Sequence, residues 1–462
     1  MVTFKPSVDL EHGAIAVSSG KRFLAHGDGA PFFYLGDTAW ELFHRLTRDE
    51  ADYYLRKRAE QRFTVIQAVA LAELNGLTVP NANGDVPLID LDPCTPNERY
   101  FAHVDYVVQR AGELGVFIGM LPTWASWTLQ ENHPFLENHA VFTPGNAYAY
   151  GLYLGRRYRH SPNIIWILGG DRAVKDAAHL EVFRQMARGL AEGDGGAHLK
   201  TFHPRGDRSS SDPLHEEPWL DFNMIQSGHC VRDKANHEMI RADYERTPVK
   251  PCLDGEPRYE DHPVMSPNWQ WDKAQGYYDD YDVRKAAWWA VLAGAHGHTY
   301  GCHPVWQMWQ PGREPVNNVR IPWYEALDLP GAWQMRHLRM LIESRPMLER
   351  MPDQSLLASA EWVPSRHVQA SRAADGSYAF IYIPAARQDV TINMEKLAGA
   401  TISVSWFNPR NGRIERSSPV AAGARTMHFT SPDTGPDWVL MLDDAARGFA
   451  HPGPGTPSWR WA

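Results

Sequence analysis

"TPNERYFAHVDYVVQRAGELGVFIGMLPTW" (residues 95–124) changes its hydrophobic period once, and that change decides the fold. In the first half Phe101, Val104, Val108 and Ala111 recur every three or four residues, which places them on one face of a helix. The start signal is Thr95 as cap, Pro96 at the first helical position and Glu98 three after the cap; Gly115 ends the helix. From Val116 the apolar residues run on almost unbroken, as in a strand buried on both faces. A helix feeding such a strand is the repeating unit of a parallel sheet.

Outward from this stretch the unit recurs. PFFYLGD (31–37) reads as a strand and leads into LTRDEADYYLRKRAEQRF, where Thr47 and Glu50 have capping-box spacing. Further strands are read at TVIQAVAL (64–71), VFIGMLPTW (116–124), NIIWILGG (163–170), HLKTFHP (198–204), FNMIQSG (222–228), VKPCLDGEP (249–257) and HGHTYG (296–301). Eight strands alternating with helices predict an α/β fold, a (β/α)8 TIM barrel over residues 31–348. An open doubly wound sheet is the alternative, but no GxGxxG turn follows the first strand. From about residue 350, short alternating strands separated by turn residues predict a C-terminal antiparallel β-sandwich domain over 349–446. Residues 1–30 are expected to form a β-hairpin segment, closing the barrel floor or packing on the sandwich. Residues 447–462 read as a Pro/Gly-rich tail.

Composition narrows the function classes. A chain of 462 residues is long for one core, so one large domain with a smaller one is expected. Its 46 Lys and Arg against 55 Asp and Glu form no basic stripe, which argues against nucleic acid as a partner. No apolar run approaches the ~20 residues of a membrane span. The opening MVTFKPSVDLEHGAIAVSSG has no apolar signal-peptide core, so a cytoplasmic location is expected. Cys94, Cys230, Cys252 and Cys302 are widely spread and read as reduced thiols. Many of the 18 Trp stand beside Gly, Pro, Asn or His, where their faces suit the apolar C–H surfaces of sugars. Any one of them taken singly is more often a core residue. The oligomeric state is not legible.

In a (β/α)8 barrel the C-terminal strand ends converge on one mouth. Strand one ends in Asp37, with Trp40 and His44 beyond it, and strand two near Glu73. Strand three supplies Trp124, strand four Asp171, strand five His203, and strand six Gln226 and His229. Strand seven supplies Asp254 and Glu256; strand eight supplies His298 and Tyr300, with Trp306 in the following loop. Acids and aromatics at so many strand ends suit a small carbohydrate or glycoside substrate.

Two of these acids form a pair. Asp171 and Glu256 stand three strands apart in a ring of eight, facing each other across the mouth. Glycoside cleavage needs one acid to protonate the leaving oxygen and another to attack the anomeric carbon or activate water; a separation of about 5–5.5 Å goes with retention. Gly169 and Gly170 read as room for a sugar beside Asp171. The plainer readings are a helix cap for Asp171 and an ion pair with Arg258 for Glu256. HGH at 296–298 has zinc-ligand spacing, so a metal-dependent barrel hydrolase is one rival. Such hydrolases usually carry the pair on strand one, where this chain has GDT, so no metal and no cofactor is expected. A non-catalytic carbohydrate-binding protein is the other rival, and it has no reason to keep both carboxylates.

The segment PFFYLGDTAWELFHRLTRDEADYYLRKRAEQRFTVIQAVALAELNG resembles the N-terminal part of the apiosidase-like glycoside hydrolases, glycoside hydrolase family 140. The resemblance continues through NIIWILGGD and DGEPRYE into a C-terminal module of the collagen-binding type, and covers most of the chain. It implies a retaining enzyme with Asp171 as acid/base and Glu256 as nucleophile. It also implies exo-action on a terminal apiose of plant glycosides or pectin side chains. Galactofuranosides and arabinofuranosides are the alternatives within the class. The wider clan uses a Glu acid preceded by Asn, whereas here Gly170 precedes an Asp, which shortens the acid. On this reading Asp171 is held protonated by burial or by Glu256, and Arg258 or His298 keeps Glu256 ionised. Asp37, Glu73 and His203 would hold sugar hydroxyls, and Trp40, Trp124 and Trp306 would form stacking walls.

Overall fold

The computed structural model describes residues 6–129, 140–358, 363–421 and 423–453. Its central sheet contains eight parallel strands, one at each expected position: β1 (Tyr34–Thr38), β2 (Val65–Val69), β3 (Phe117–Leu121), β4 (Ile164–Gly169), β5 (Lys200–His203), β6 (Asn223–Gln226), β7 (Cys252–Asp254) and β8 (Gly297–Tyr300). They run in the order β5-β4-β3-β2-β1-β8-β7-β6, and the short strand Arg208–Ser209 lies antiparallel on β6. No ladder joins β5 to β6. The gap is bridged instead by the Asp221 N–H donating to Lys200 O (2.8 Å), the Lys200 N–H donating to the Asp221 carboxylate (2.7 Å) and Thr201 Oγ1 donating to Phe222 O (2.7 Å). The sheet is a nearly closed (β/α)8 barrel. Every residue of β1 to β8 is buried, which is why strands such as β3 and β4 appear in sequence as nearly unbroken apolar runs.

The longer helices are α1 (Arg48–Glu60), α2 (Glu98–Glu113), α3 (Pro144–Tyr158), α4 (Ala177–Asp194), α5 (Asn236–Tyr244), α6 (Asp280–Leu292) and α7 (Pro330–Glu343). Between β5 and β6 the chain forms only the short strand Arg208–Ser209 and the four-residue helix Ser211–Leu214. The capping box of α1 forms as read, Thr47 Oγ1 accepting from Glu50 N and the Glu50 carboxylate from Thr47 N. That of α2 does not. Thr95 Oγ1 donates to Ile89 O and Asp92 O within the preceding loop, and the cap is Asn97, whose side chain accepts from Arg99 N. The expected apolar face of α2 is buried throughout.

Three short antiparallel strands, Ile15–Val17, Leu24–His26 and Pro31–Phe32, precede the barrel. Ser7 N and Val8 N donate to Leu114 O and Gly115 O, and Phe32 packs edge-on against Phe117, so this segment sits under the floor at the start of β3. Most of the 447–462 tail lies outside the described residues.

The C-terminal region holds β9 (Arg350–Pro352), β10 (Gln369–Ala373), β11 (Tyr378–Ile383), β12 (Asp389–Asn393), β13 (Thr401–Asn408), β14 (Arg413–Ala421), β15 (Thr426–Thr430) and β16 (Trp438–Asp444). A six-stranded antiparallel sheet, β9-β10-β11-β16-β13-β14, faces the two-stranded β12-β15 sheet. Alternate residues of β11 separate two cores. Ala379, Ile381 and Ile383 pack with Val390 and Ile392 of β12, whereas Tyr378, Phe380 and Tyr382 join the barrel's core. Tyr382 stacks on Trp288 of α6, and Arg284 of α6 forms a two-pronged pair with Asp437. Helix α6 is therefore covered by the barrel on one side and the sandwich on the other, which accounts for its apolar run AAWWAVL.

Candidate active site

Which side of a strand a residue occupies decides whether it reaches the mouth. Gln67 of β2 spans the barrel interior, its Nε2 donating to Thr299 Oγ1 (2.7 Å) and Gly255 O (3.2 Å). Thr299 therefore points inward, and its neighbours His298 and Tyr300 point outward. The structure corrects the reading of both as sugar contacts. Tyr300 donates to Glu260 (2.5 Å) and faces Arg58 of α1; His298 is buried near Arg258 and driven toward the neutral form, to about 3, by burial. Asp37 requires the same correction. It is enclosed between β1 and α1, accepting from Tyr54 Oη (2.5 Å) and Arg58 Nε (2.6 Å). His44 is likewise committed to structure, bridging Glu41 (2.7 Å) and Val79 O (3.1 Å). Trp306 donates to His303 Nδ1 (3.1 Å), and its carbonyl accepts from Glu41 N, so it braces the loop beyond β8 rather than the floor of the mouth.

At the end of β4 three successive residues have positive φ: Gly169 (87°), Gly170 (125°) and Asp171 (51°). A Cβ on Gly169 would lie 2.5 Å from His203 O, and one on Gly170 2.7 Å from the Trp124 ring. The glycines therefore permit close packing of strand end on neighbour, and do not clear space for a sugar as read from the sequence. Their turn redirects Asp171 away from the helical path. Nor does Asp171 cap a helix, since α4 begins at Ala177 under Asp176. The Asp171 N–H donates to His203 Nδ1 (3.2 Å), its carboxylate takes a bond from Gln226, and Arg172 Nη1 lies 3.0 Å from Oδ2. Burial raises the Asp171 carboxyl above the ordinary range and the Glu256 charge raises it further, with Arg172 and His203 opposing.

Glu256 experiences the opposite environment. Its Oε2 lies 2.9 Å from His203 Nε2 and its Oε1 3.1 Å from His229 Nε2, and Tyr259 contributes a third side-chain hydrogen bond. His203 accepts at Nδ1 from Asp171, which assigns its ring proton to Nε2, toward Glu256. One imidazole thus joins the two carboxylate loops. Burial pushes the Glu256 carboxyl up, but the two histidines outweigh it and hold it well below the usual range. Neither Arg258 nor His298 does this. Arg258 donates to Lys234 O and has Asp254, Asp282 and Asp233 as its acidic neighbours.

Around the pair, Trp40 and Trp124 meet at 5.4 Å between rings, and both contact His203. Trp40 Nε1 donates to Tyr259 Oη (3.1 Å). Glu73, partly buried at the end of β2, is pushed up to about 8 by burial, with Asp171, Glu41 and Glu256 adding to it and Arg172 opposing. Among the described residues Trp124 Nε1, Gln226 Oε1 and His229 Nδ1 are buried without a hydrogen-bond partner, a combination that suits a hydroxyl-rich ligand. Of the residues read from the sequence, Asp171, Glu256, Glu73, Gln226, His203, Trp40 and Trp124 come together. Tyr259 and Arg172 were missed, and His229 was seen only as a strand-six neighbour. Tyr259 stands three after Glu256, within DGEPRYE, and its proximity there was the available signal.

The chain matches the family described as "Apiosidase-like, catalytic domain" over residues 18–349. Residues 351–443 match the family described as "Putative collagen-binding domain of a collagenase". A solved structure named "Glycoside hydrolase" is 32% identical, with a TM-score of 0.85, covering 96% of this chain and 99% of that one. A glycoside hydrolase family 5 protein from Bacteroides vulgatus ATCC 8482 is 30% identical, with a TM-score of 0.86 and 97% of each chain covered. No curated protein matches the chain. With its catalytic region matched from end to end, the chain belongs to the apiosidase-like glycoside hydrolases and is a glycoside hydrolase.

Proposed function

We propose that the enzyme is a retaining, exo-acting glycosidase that removes a terminal furanosyl residue, apiose first among candidates, from plant-derived glycosides or pectin side-chain oligosaccharides. The observation that carries this reading is the opposite treatment of two facing carboxyls. Glu256 is surrounded by hydrogen-bond donors that keep it ionised; Asp171 is raised by burial and by Glu256 itself. In the first step Glu256 attacks the anomeric carbon as the Asp171 proton passes to the departing glycosidic oxygen, leaving a glycosyl ester on Glu256. That step removes the negative charge on Glu256, so Asp171 becomes easier to ionise as it changes from acid to base. In the second step Asp171 takes a proton from water, whose oxygen attacks the anomeric carbon and frees Glu256. Trp40 and Trp124 would wall the sugar, and Trp124 Nε1, Gln226 and Glu73 would meet its hydroxyls.

Sugar release from a panel of terminal furanosides, apiosides first, tests this in wild type and Glu256→Gln. Apiose released by wild type and lost in the variant is the expected result. Release of galactofuranose or arabinofuranose, lost in the same variant, would keep the mechanism and replace the sugar. Inverted anomeric configuration in the first-formed product would discard the covalent intermediate.

A further inference from the structure

Trp269 is the tryptophan among the described residues that leaves half its surface, 50%, in solvent. It stands on the loop between β7 and α6, which is fastened over His229: Met265 N and Tyr278 Oη both donate to His229 O, at 3.1 and 2.8 Å. The Trp269 ring lies edge-on to the His229 ring at 6.4 Å, and His229 Nε2 is 3.1 Å from Glu256 Oε1. The tip is a tight turn, with Trp269 N donating to Ser266 O and Ser266 N to Gln270 O. Within it Trp269 has φ of 62°, where a bulky residue is strained and a glycine is not. Neither core burial nor turn preference accounts for a tryptophan there.

The two oxygens of Glu256 thus look toward two kinds of aromatic. On the Oε2 side His203 meets Trp40 and Trp124, each with only 2% of its surface exposed. On the Oε1 side His229 leads out to Trp269 at the rim. We infer that Trp269 is the platform on which the leaving group stacks, and that the leaving group carries a ring with an apolar face, pyranose or phenolic. This rests on the exo-glycosidase reading: the terminal sugar fills the enclosed end, so only the group beyond the scissile bond reaches the rim. Stacking there helps bind and align the substrate until the leaving group departs, and plays no part in hydrolysing the glycosyl ester.

The test uses one terminal furanoside turned over by the wild type, joined in turn to methanol, p-nitrophenol and a pyranose. Trp269→Gly, which suits the positive φ, should lower kcat/KM about three- to tenfold on a ring-bearing leaving group, chiefly through KM. The methyl glycoside should be hydrolysed as by wild type, and Trp269→Phe should recover most of the loss. A loss confined to the nitrophenyl substrate identifies a phenolic leaving group; one confined to the disaccharide identifies a sugar. An equal loss on all three substrates, or none on any, overturns the inference while leaving the active-site reading intact. Absence of turnover by wild type on every glycoside overturns that reading and this inference together.

Discussion

Asp37 and Glu256 are both buried acids near the end of a barrel strand, and the structure treats them in opposite ways. Asp37 faces α1, where the Arg58 guanidinium and the Tyr54 hydroxyl both engage the same oxygen. Burial raises its carboxyl, and Arg58 and the Tyr54 hydroxyl pull the other way. Glu256 faces the mouth, where two imidazoles and a phenol stabilise its charge and, among the described residues, no Lys or Arg pairs with it. A guanidinium clamp fixes a carboxylate as structure. Imidazole and phenol donors hold a carboxylate without such a clamp. The difference arises from position: Asp37 lies within β1 on its helix-facing side, whereas Glu256 stands two residues beyond β7, where the loop and not strand parity sets its direction.

The sharpest test exchanges the two losses. Glu256→Gln should lower kcat at least ~10^4-fold on any glycoside with little change in Tm, since the amide keeps the shape of the site. Asp37→Asn should do the reverse, leaving Arg58 buried without its partner and costing ~3–5 kcal/mol of unfolding free energy in a denaturant titration. Its remaining folded fraction should turn over substrate normally. Comparable kcat losses in both would refute the division between clamp and nucleophile.

His203 sharpens the comparison from the donor side. His203→Gln should lower kcat/KM by ~10^2-fold and also alter its pH profile. A group held below its ordinary pKa is ionised over a wider acid range, so removing a donor lets the Glu256 carboxyl rise. The acid limb of kcat/KM should therefore move to higher pH. An unmoved limb would mean that His229 and Tyr259 alone keep Glu256 ionised.

Tyr300→Phe tests the outward face again with a smaller expected effect. It removes the donor to Glu260, whose carboxyl burial pushes up to about 7, and should cost ~1–3 kcal/mol with activity within about twofold of wild type. A tenfold fall in kcat/KM would return Tyr300 to the site. Glu73 should show the smallest effect. Its folded pKa near 8 lies above the unfolded value of about 4.3, so wild type loses stability as pH rises through that window. Glu73→Gln removes this loss, and its Tm should gain on wild type between pH 5 and 8.5 by about 2–4 °C. A constant Tm difference would show that Glu73 titrates normally.

The amino-acid pattern by itself determined the barrel and the order of its strands, and it put Asp171 and Glu256 after strands four and seven. Apolar runs, helix periods and glycine stops are local signals; Asp171 follows IIWIL after two glycines, and Glu256 follows the short CLDG stretch. What it could not determine was phase. In a soluble (β/α)8 barrel both faces of each strand are buried, one by the interior and one by helices, so no polar alternation marks which residues look inward. Asp37, His298 and Tyr300 were therefore read toward the mouth although they face the helices. The same limit hid Tyr259 and the second imidazole on Glu256, because hydrogen bonds between different loops have no period in the chain. Only tertiary packing, through contacts such as Gln67 with Thr299 and His203 with both carboxylate loops, decided which acids are held against the helices and which meet at the mouth.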